Sequence, residues 1–146
     1  MDNQPIIVEK LYNAPAAKVW KAITAKNEMK AWYFDLKEFK PEIGFIFSFT
    51  GGPSPEKQYV HLCELTEVIP GKKLTYSWRY EGYAGNSFVT FELVDKDAKT
   101  LLKLTHAGIE TFPNDNADFD INNFIAGWDH IINKSLEEYL NKEEKN

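Results

Sequence analysis

Residues 118–142, DFDINNFIAGWDHIINKSLEEYLNK, decide the fold. Ile121, Phe124, Ile125, Trp128, Ile132, Leu136, Tyr139 and Leu140 recur at three- and four-residue spacing, while Asn122, Asn123, Asp129, Asn133, Glu137 and Glu138 fall on the other side. That is the pattern of one long amphipathic helix. So broad an apolar stripe has to be buried against another layer. The chain ahead of it reads as a series of β-segments, so the expected partner is a curved sheet. A sheet gripping a helix leaves room for a ligand between them.

Working back from the helix, residues 107–117 read as a polar crossing loop containing Gly108, Pro113 and Asn114. Before it, Ser87–Val94 and Thr100–His106 read as strands joined through Asp95–Lys99. Lys73–Glu81 alternates cleanly, with Leu74, Tyr76, Trp78 and Tyr80 on one face and Thr75, Ser77 and Arg79 on the other. Gln58–Ile69 is a long strand turned by Pro70-Gly71; both its faces carry apolar residues, and a bulge would let both contribute to the core. Gly44–Thr50 places Phe45, Phe47 and Phe49 together, and Gly51–Pro55 reads as a turn or mobile loop. Connections this short imply antiparallel hairpins. At the start, Pro5–Tyr12 reads as a strand. Asn13-Ala14-Pro15 opens a helix that buries Ala16, Val19, Trp20 and Ile23, and Asn27 is placed to cap a second short helix reaching Trp32 or Tyr33.

The 146 residues suit one domain, residues 1–146, and 43% hydrophobic and 14% aromatic residues supply an ample core. The net charge is −5, and Arg79 is the sole arginine. Arginine is the preferred reader of phosphates and bases, and no lysine cluster replaces it, so nucleic-acid binding is not expected. Acidic residues crowd residues 107–146, as the solvated face of the last helix or as a face for a basic protein partner. The single cysteine, Cys63, allows no internal disulfide and suits a reducing compartment. Met1–Lys10 has no signal-peptide pattern and no apolar run is long enough to span a membrane, so the expected location is cytoplasmic.

Four segments in order resemble one family. Ala14-Pro15-Ala16-Ala17-Lys18-Val19-Trp20-Lys21-Ala22-Ile23-Thr24 with Met29-Lys30-Ala31-Trp32 resembles its first helical hairpin. Glu67-Val68-Ile69-Pro70-Gly71-Lys72-Lys73-Leu74-Thr75-Tyr76-Ser77-Trp78 resembles its central strand, turn and strand. Thr100–Gly108 resembles its last strand, and Gly127-Trp128 with Leu136 and Leu140 its terminal helix. The family is the AHSA-like group, related to the C-terminal domain of the activator of the heat-shock-protein-90 ATPase, within the START-like or SRPBCC superfamily. The resemblance runs over residues 5–142. It implies an α+β helix-grip fold of the birch-pollen-allergen type, often with an apolar cavity for a lipid-like or other small hydrophobic molecule. It carries no standard catalytic set.

The chemistry-bearing residues are few. His61 and Cys63 point to one face of a strand, and with His106 they are candidates for a zinc or Cys–His site. The spacing matches no zinc motif, so the expectation is a buried thiol and hydrogen-bonded imidazoles, with no metal or cofactor. His106 is expected to pack while its nitrogens satisfy backbone groups. Glu67 is expected to brace its turn or pair with Lys73 or Arg79. No phosphate-binding glycine loop, G-x-S-x-G or H-E-x-x-H occurs. The ligand-facing set is Trp32, Phe47, Phe49, Tyr59, His61, Tyr76, Trp78, His106, Phe124 and Trp128, with Tyr80 as a further polar group. The expected function is non-catalytic binding of a small hydrophobic or amphipathic molecule, reached past Trp32–Leu36, Gly51–Pro55 and the start of the last helix. Two alternatives stay open: a stress-related or chaperone-associated protein-interaction module, and a cyclase or hydrolase acting on a hydrophobic substrate. Apolar positions on the outer sheet face would support a homodimer.

Overall fold

The computed structural model describes residues 5–33, 36–113 and 115–144, with the backbone alone at 53, 54, 143 and 144. Strand β1 (Ile6–Tyr12) leads into α1 (Ala16–Thr24) and α2 (Lys26–Trp32). A meander follows: β2 (Ile46–Ser54), β3 (Lys57–Ile69), β4 (Lys73–Tyr80), β5 (Ser87–Lys96) and β6 (Lys99–Ala107). Single 3-10 turns at Ile109–Thr111 and Ala117–Phe119 precede α3 (Ile121–His130), which continues through a π turn (Ile131–Ser135) into α4 (Leu136–Glu144). The order across the sheet is β1-β6-β5-β4-β3-β2, antiparallel throughout. This is the helix-grip arrangement expected from the sequence.

The strands follow the alternation of their side chains. Leu74, Tyr76, Trp78 and Tyr80 are all buried on the face that meets the helices. In β3, His61, Cys63 and Leu65 face inward; the register then shifts between Leu65 and Glu67, and Val68 packs against the core opposite Leu74. The bulge therefore does bring both apolar faces of β3 into use. Two expectations change. Gly51–Pro55 is not a free loop: β2 runs on through Ser54, which pairs with Lys57 across a two-residue turn. The close approach requires glycine at 52, where a Cβ would lie 1.8 Å from the Lys57 carbonyl oxygen. The β5–β6 hairpin is also longer than expected, with Lys96 paired to Lys99 and Asp97 at φ 64° in the tight turn.

In the helices, α1 begins after Pro15, whose carbonyl accepts the Lys18 and Val19 N–H groups. Asn27 is not a cap; it sits inside α2, whose N-cap is Ala25, because the carbonyl of Ala25 takes the first N–H bonds. The expected crossing loop is not wholly polar, since Ile109 and Phe112 are buried. Its Asn114 lies outside the described residues.

The final helix starts at Ile121 rather than Asp118 and is not α-helical throughout. Its buried residues are Phe124, Trp128, Ile132, Leu136 and Leu140, each four positions after the last. At 3.6 residues per turn a spacing of four drifts by about 40° a step. The wider π turn at Ile131–Ser135 offsets part of that drift and keeps the stripe over the sheet. Inside that turn the Ile132 carbonyl accepts the Tyr12 hydroxyl at 2.5 Å, tying the end of β1 to the helix. Further on, α4 docks on the first helices through Tyr139 to Glu28 (2.9 Å). Ile121 and Ile125 depart from the expected stripe. Both are exposed, because the first turns of α3 overhang the β1 edge and form a shallow groove with Ile7 and Val8.

Candidate functional site

Between α3 and the sheet lies a cavity of about 460 Å³. Gly52 of β2, Tyr59 and His61 of β3, and Trp78 and Tyr80 of β4 form one wall; Asp118 and Phe119 with Asn123, Phe124, Gly127, Trp128 and Ile131 form the other. Of the residues expected from the sequence, the structure brings Tyr59, His61, Trp78, Phe124 and Trp128 to this cavity. Trp32, Phe47, Phe49, Tyr76 and His106 do not line it. The reason is Tyr33. Its ring lies 6.2 Å from Trp128 and 5.0 Å from Trp32, and its hydroxyl is 2.6 Å from that of Tyr76. This wedge fills the α2 side of the groove, so Trp32, Phe47 and Tyr76 are packed core behind it. Phe49 stacks on His61 at 4.4 Å and backs the wall. Burial raises both the Tyr33 and Tyr76 hydroxyls well above the usual tyrosine range.

His106 sits beneath the cavity floor and is completely buried. Its nitrogens bond side chains, not the backbone groups expected. The Trp128 indole N–H donates to Nδ1 at 2.9 Å, and Nε2 lies 2.8 Å from Ser87 Oγ, which in turn donates to the Trp78 carbonyl at 2.8 Å. Because indole only donates, Nδ1 must accept and Nε2 must carry the proton. Burial lowers the His106 pKa to about 3, so the ring is neutral. The chain fixes Trp128 against Trp78, whose rings are 5.7 Å apart.

His61 is assigned in the same way. Its Nδ1 lies 3.1 Å from the Tyr59 carbonyl and 3.3 Å from the Phe49 carbonyl, so Nδ1 carries the proton. Burial pulls its pKa down to about 4, against the opposing pull of those two bonds. Cys63 is buried and its thiol is pushed upward by desolvation. His61, Cys63 and His106 do not converge: no group of three metal-ligating side chains occurs among the described residues. Glu67 is paired with Lys73 at 3.2 Å, one of the two partners expected, and is remote from the cavity lining.

At the mouth, Tyr59 donates to Asp118 at 2.5 Å and accepts from the Asn116 amide at 3.3 Å; Lys57 lies 3.7 Å from the same carboxylate. The bond to Asp118, followed by desolvation, raises the Tyr59 pKa. A strap thus joins the start of β3 to the turn before α3. By spacing alone Asp118 and Phe119 belong to the long helix, and nothing in that pattern marks them as wall residues. The signal was Asp120, whose side chain caps α3 by accepting the Asn122 N–H and leaves the two preceding residues free to fold over the mouth. In the expected access route, residues 34 and 35 lie outside the described residues.

Among the described residues no helix is long and apolar enough to cross a membrane. Comparison with curated proteins finds no match. Solved structures do match. Protein MLL2253 from Mesorhizobium loti is 26% identical, with a TM-score of 0.79 over 95% of this chain and 98% of that one. CalU16 from Micromonospora echinospora is 26% identical, with a TM-score of 0.73 over 97% of this chain and 78% of that one. DynU16, encoded in the dynemicin biosynthetic locus, is 20% identical with a TM-score of 0.77; the match covers 97% of this chain and 48% of that chain, and shows the fold alone. The family model described as Activator of Hsp90 ATPase homolog 1-like protein matches residues 13–141. The sheet, the gripped helix and that match together make the chain a member of the Activator of Hsp90 ATPase homolog 1-like family, with the START-like fold of the SRPBCC superfamily.

Proposed function

We infer that this domain binds a small apolar or amphipathic molecule, without chemically altering it, in the cavity between α3 and the sheet. The observation that carries the reading is the cavity itself: about 460 Å³, walled by Trp78, Tyr80, Phe119, Phe124 and Trp128. Sites for small ligands commonly enclose about 300–1,000 Å³ with mostly apolar walls and few polar groups. Filling such a space removes aromatic surface from water, at roughly 25 cal/mol per Å² of apolar area. The groups that could act on a substrate are already engaged. Asp118 holds Tyr59 and Lys57, and His61 is neutral with Nδ1 turned to the backbone.

Gly127 gives a test that separates binding from folding. It lines the cavity within α3, and a Cβ there would meet no atom within 4 Å. Replacing a helical glycine favours the helix by up to about 1 kcal/mol, whereas a leucine side chain would occupy the void. Gly127→Leu should therefore melt no lower than wild type and fail to bind fluorene in a tryptophan-quenching titration. Fluorene binding that survives Gly127→Leu unchanged, or a wild-type protein that neither binds fluorene nor carries a co-purified mass in native mass spectrometry, would overturn the reading.

A further inference from the structure

One hydroxyl in the cavity wall carries a proton that no group among the described residues receives. Tyr80, at the end of β4, is buried and lines the cavity beside Trp78. Its oxygen accepts the Trp78 indole N–H at 2.9 Å. A phenol donates as well as accepts, and among the described residues the Tyr80 O–H has no acceptor. Neighbouring donors are committed elsewhere: Tyr59 O–H to Asp118, Trp128 N–H to His106, and one N–H of the exposed Asn123 amide to the Ala117 carbonyl. Burial raises the Tyr80 pKa above the usual range, so the proton stays on.

The charges around it narrow the ligand. Among the described lining residues Asp118 is the only charged side chain, and none is a lysine or arginine. His61, the imidazole of the wall, is held neutral by burial. An anionic ligand would meet a carboxylate whose nearby cation, Lys57 at the mouth, is already paired with it, and would be desolvated at a large cost. Flat rings make up most of the walls and favour planar ring systems stacked or tilted against them.

We propose that the cavity takes a neutral, planar, ring-built compound bearing a carbonyl-type oxygen, and that the Tyr80 hydroxyl is the specificity-determining donor to that oxygen. The proposal rests on the ligand-binding reading above and narrows it.

Three matched probes test it by calorimetry at neutral pH: fluorene, 9-fluorenone and fluorene-9-carboxylate. Wild type should bind fluorenone about five- to tenfold more tightly than fluorene, the usual worth of one added hydrogen bond, and the carboxylate most weakly. Tyr80→Phe keeps the ring and removes the hydroxyl but frees the Trp78 N–H it accepts, so it is paired with Tyr80→Phe/Trp78→Phe, in which the fluorenone-to-fluorene ratio should fall to near one. The infrared carbonyl stretch of fluorenone bound to wild type should move to lower frequency, a readout that needs no variant. Fluorene and fluorenone bound equally by wild type, an unshifted carbonyl stretch, or preferred binding of the carboxylate would overturn the donor role while leaving the cavity reading intact. Failure of all three probes to bind, with no co-purified mass on the wild-type protein, would overturn both.

Discussion

Acidification should destabilise this protein through two buried imidazoles, and His106 isolates one of them. Its pKa lies at about 3 in the folded chain, against an unfolded value of 6.5. The folded-state pKa of a base is depressed, so the unfolded state binds protons first as pH falls. The associated stability is complete above pH ~6.5 and is lost progressively on descent toward pH 3. Each pH unit within that window removes about 1.4 kcal/mol per histidine. Between pH 7 and pH 4.5 His106 should therefore cost about 2–3 kcal/mol, a large share of the ~5–15 kcal/mol of a typical domain. His61, with its pKa at about 4, should add a similar loss. The assay is urea unfolding at several pH values for wild type and His106→Gln. Glutamine can accept from Trp128 and donate to Ser87 but cannot titrate. Its lost ring packing shifts stability by a constant, so the difference in pH slope reports the imidazole alone. The gap between the two proteins should change by about 2–3 kcal/mol from pH 7 to pH 4.5, roughly 1 M in urea midpoint. Parallel pH profiles for the two proteins would refute the neutral, indole-bonded imidazole.

Other consequences concern groups outside the cavity. Tyr12→Phe strands the buried Ile132 carbonyl of the π turn and should cost about 1–3 kcal/mol in urea unfolding; a loss under about 0.5 kcal/mol, typical of a surface change, would mean the hydroxyl bond contributes little. Cys63 is buried with its thiol pKa pushed up, so its labelling by a thiol reagent should follow global unfolding as urea rises. Labelling of native protein at the rate of a free thiol would contradict that burial.

The parts legible in the sequence are those in which one residue's surroundings follow from spacing alone. Leu74, Tyr76, Trp78 and Tyr80 could be assigned to one face because β4 is a central strand with its inner face covered. Phe124, Trp128, Ile132, Leu136 and Leu140 marked the gripped side of the helix for the same reason. Their strict four-residue interval also carried the sign of the π turn, which the helical reading passed over. Ile121 and Ile125 are as apolar as Ile132, but local sequence does not reveal that the sheet ends beneath them. Gly51-Gly52-Pro53 reads as a loop by composition; pairing across to Lys57 makes it strand. The cavity was the hardest part to read. Tyr76 and Trp78 share strand, face and chemistry, yet only Trp78 meets the void, because Tyr33 arrives from elsewhere in the chain to fill the space beside Tyr76. The unreceived proton of Tyr80 likewise depends on where the Trp78 indole points.

The pairing of β1 with β6 sets when this molecule can become whole. Ile6 lies opposite His106, and Tyr12 reaches across to Ile132. Strand β1, made before β2–β6, must wait for β6 and the gripped helix before its bonds are met. Its side chains, including exposed Ile7 and Leu11, stay available to other chains in the interval. Long-range closure of this kind slows folding, so crowding during synthesis, rather than the finished protein, is the stage at which this sheet edge is most open to aggregation.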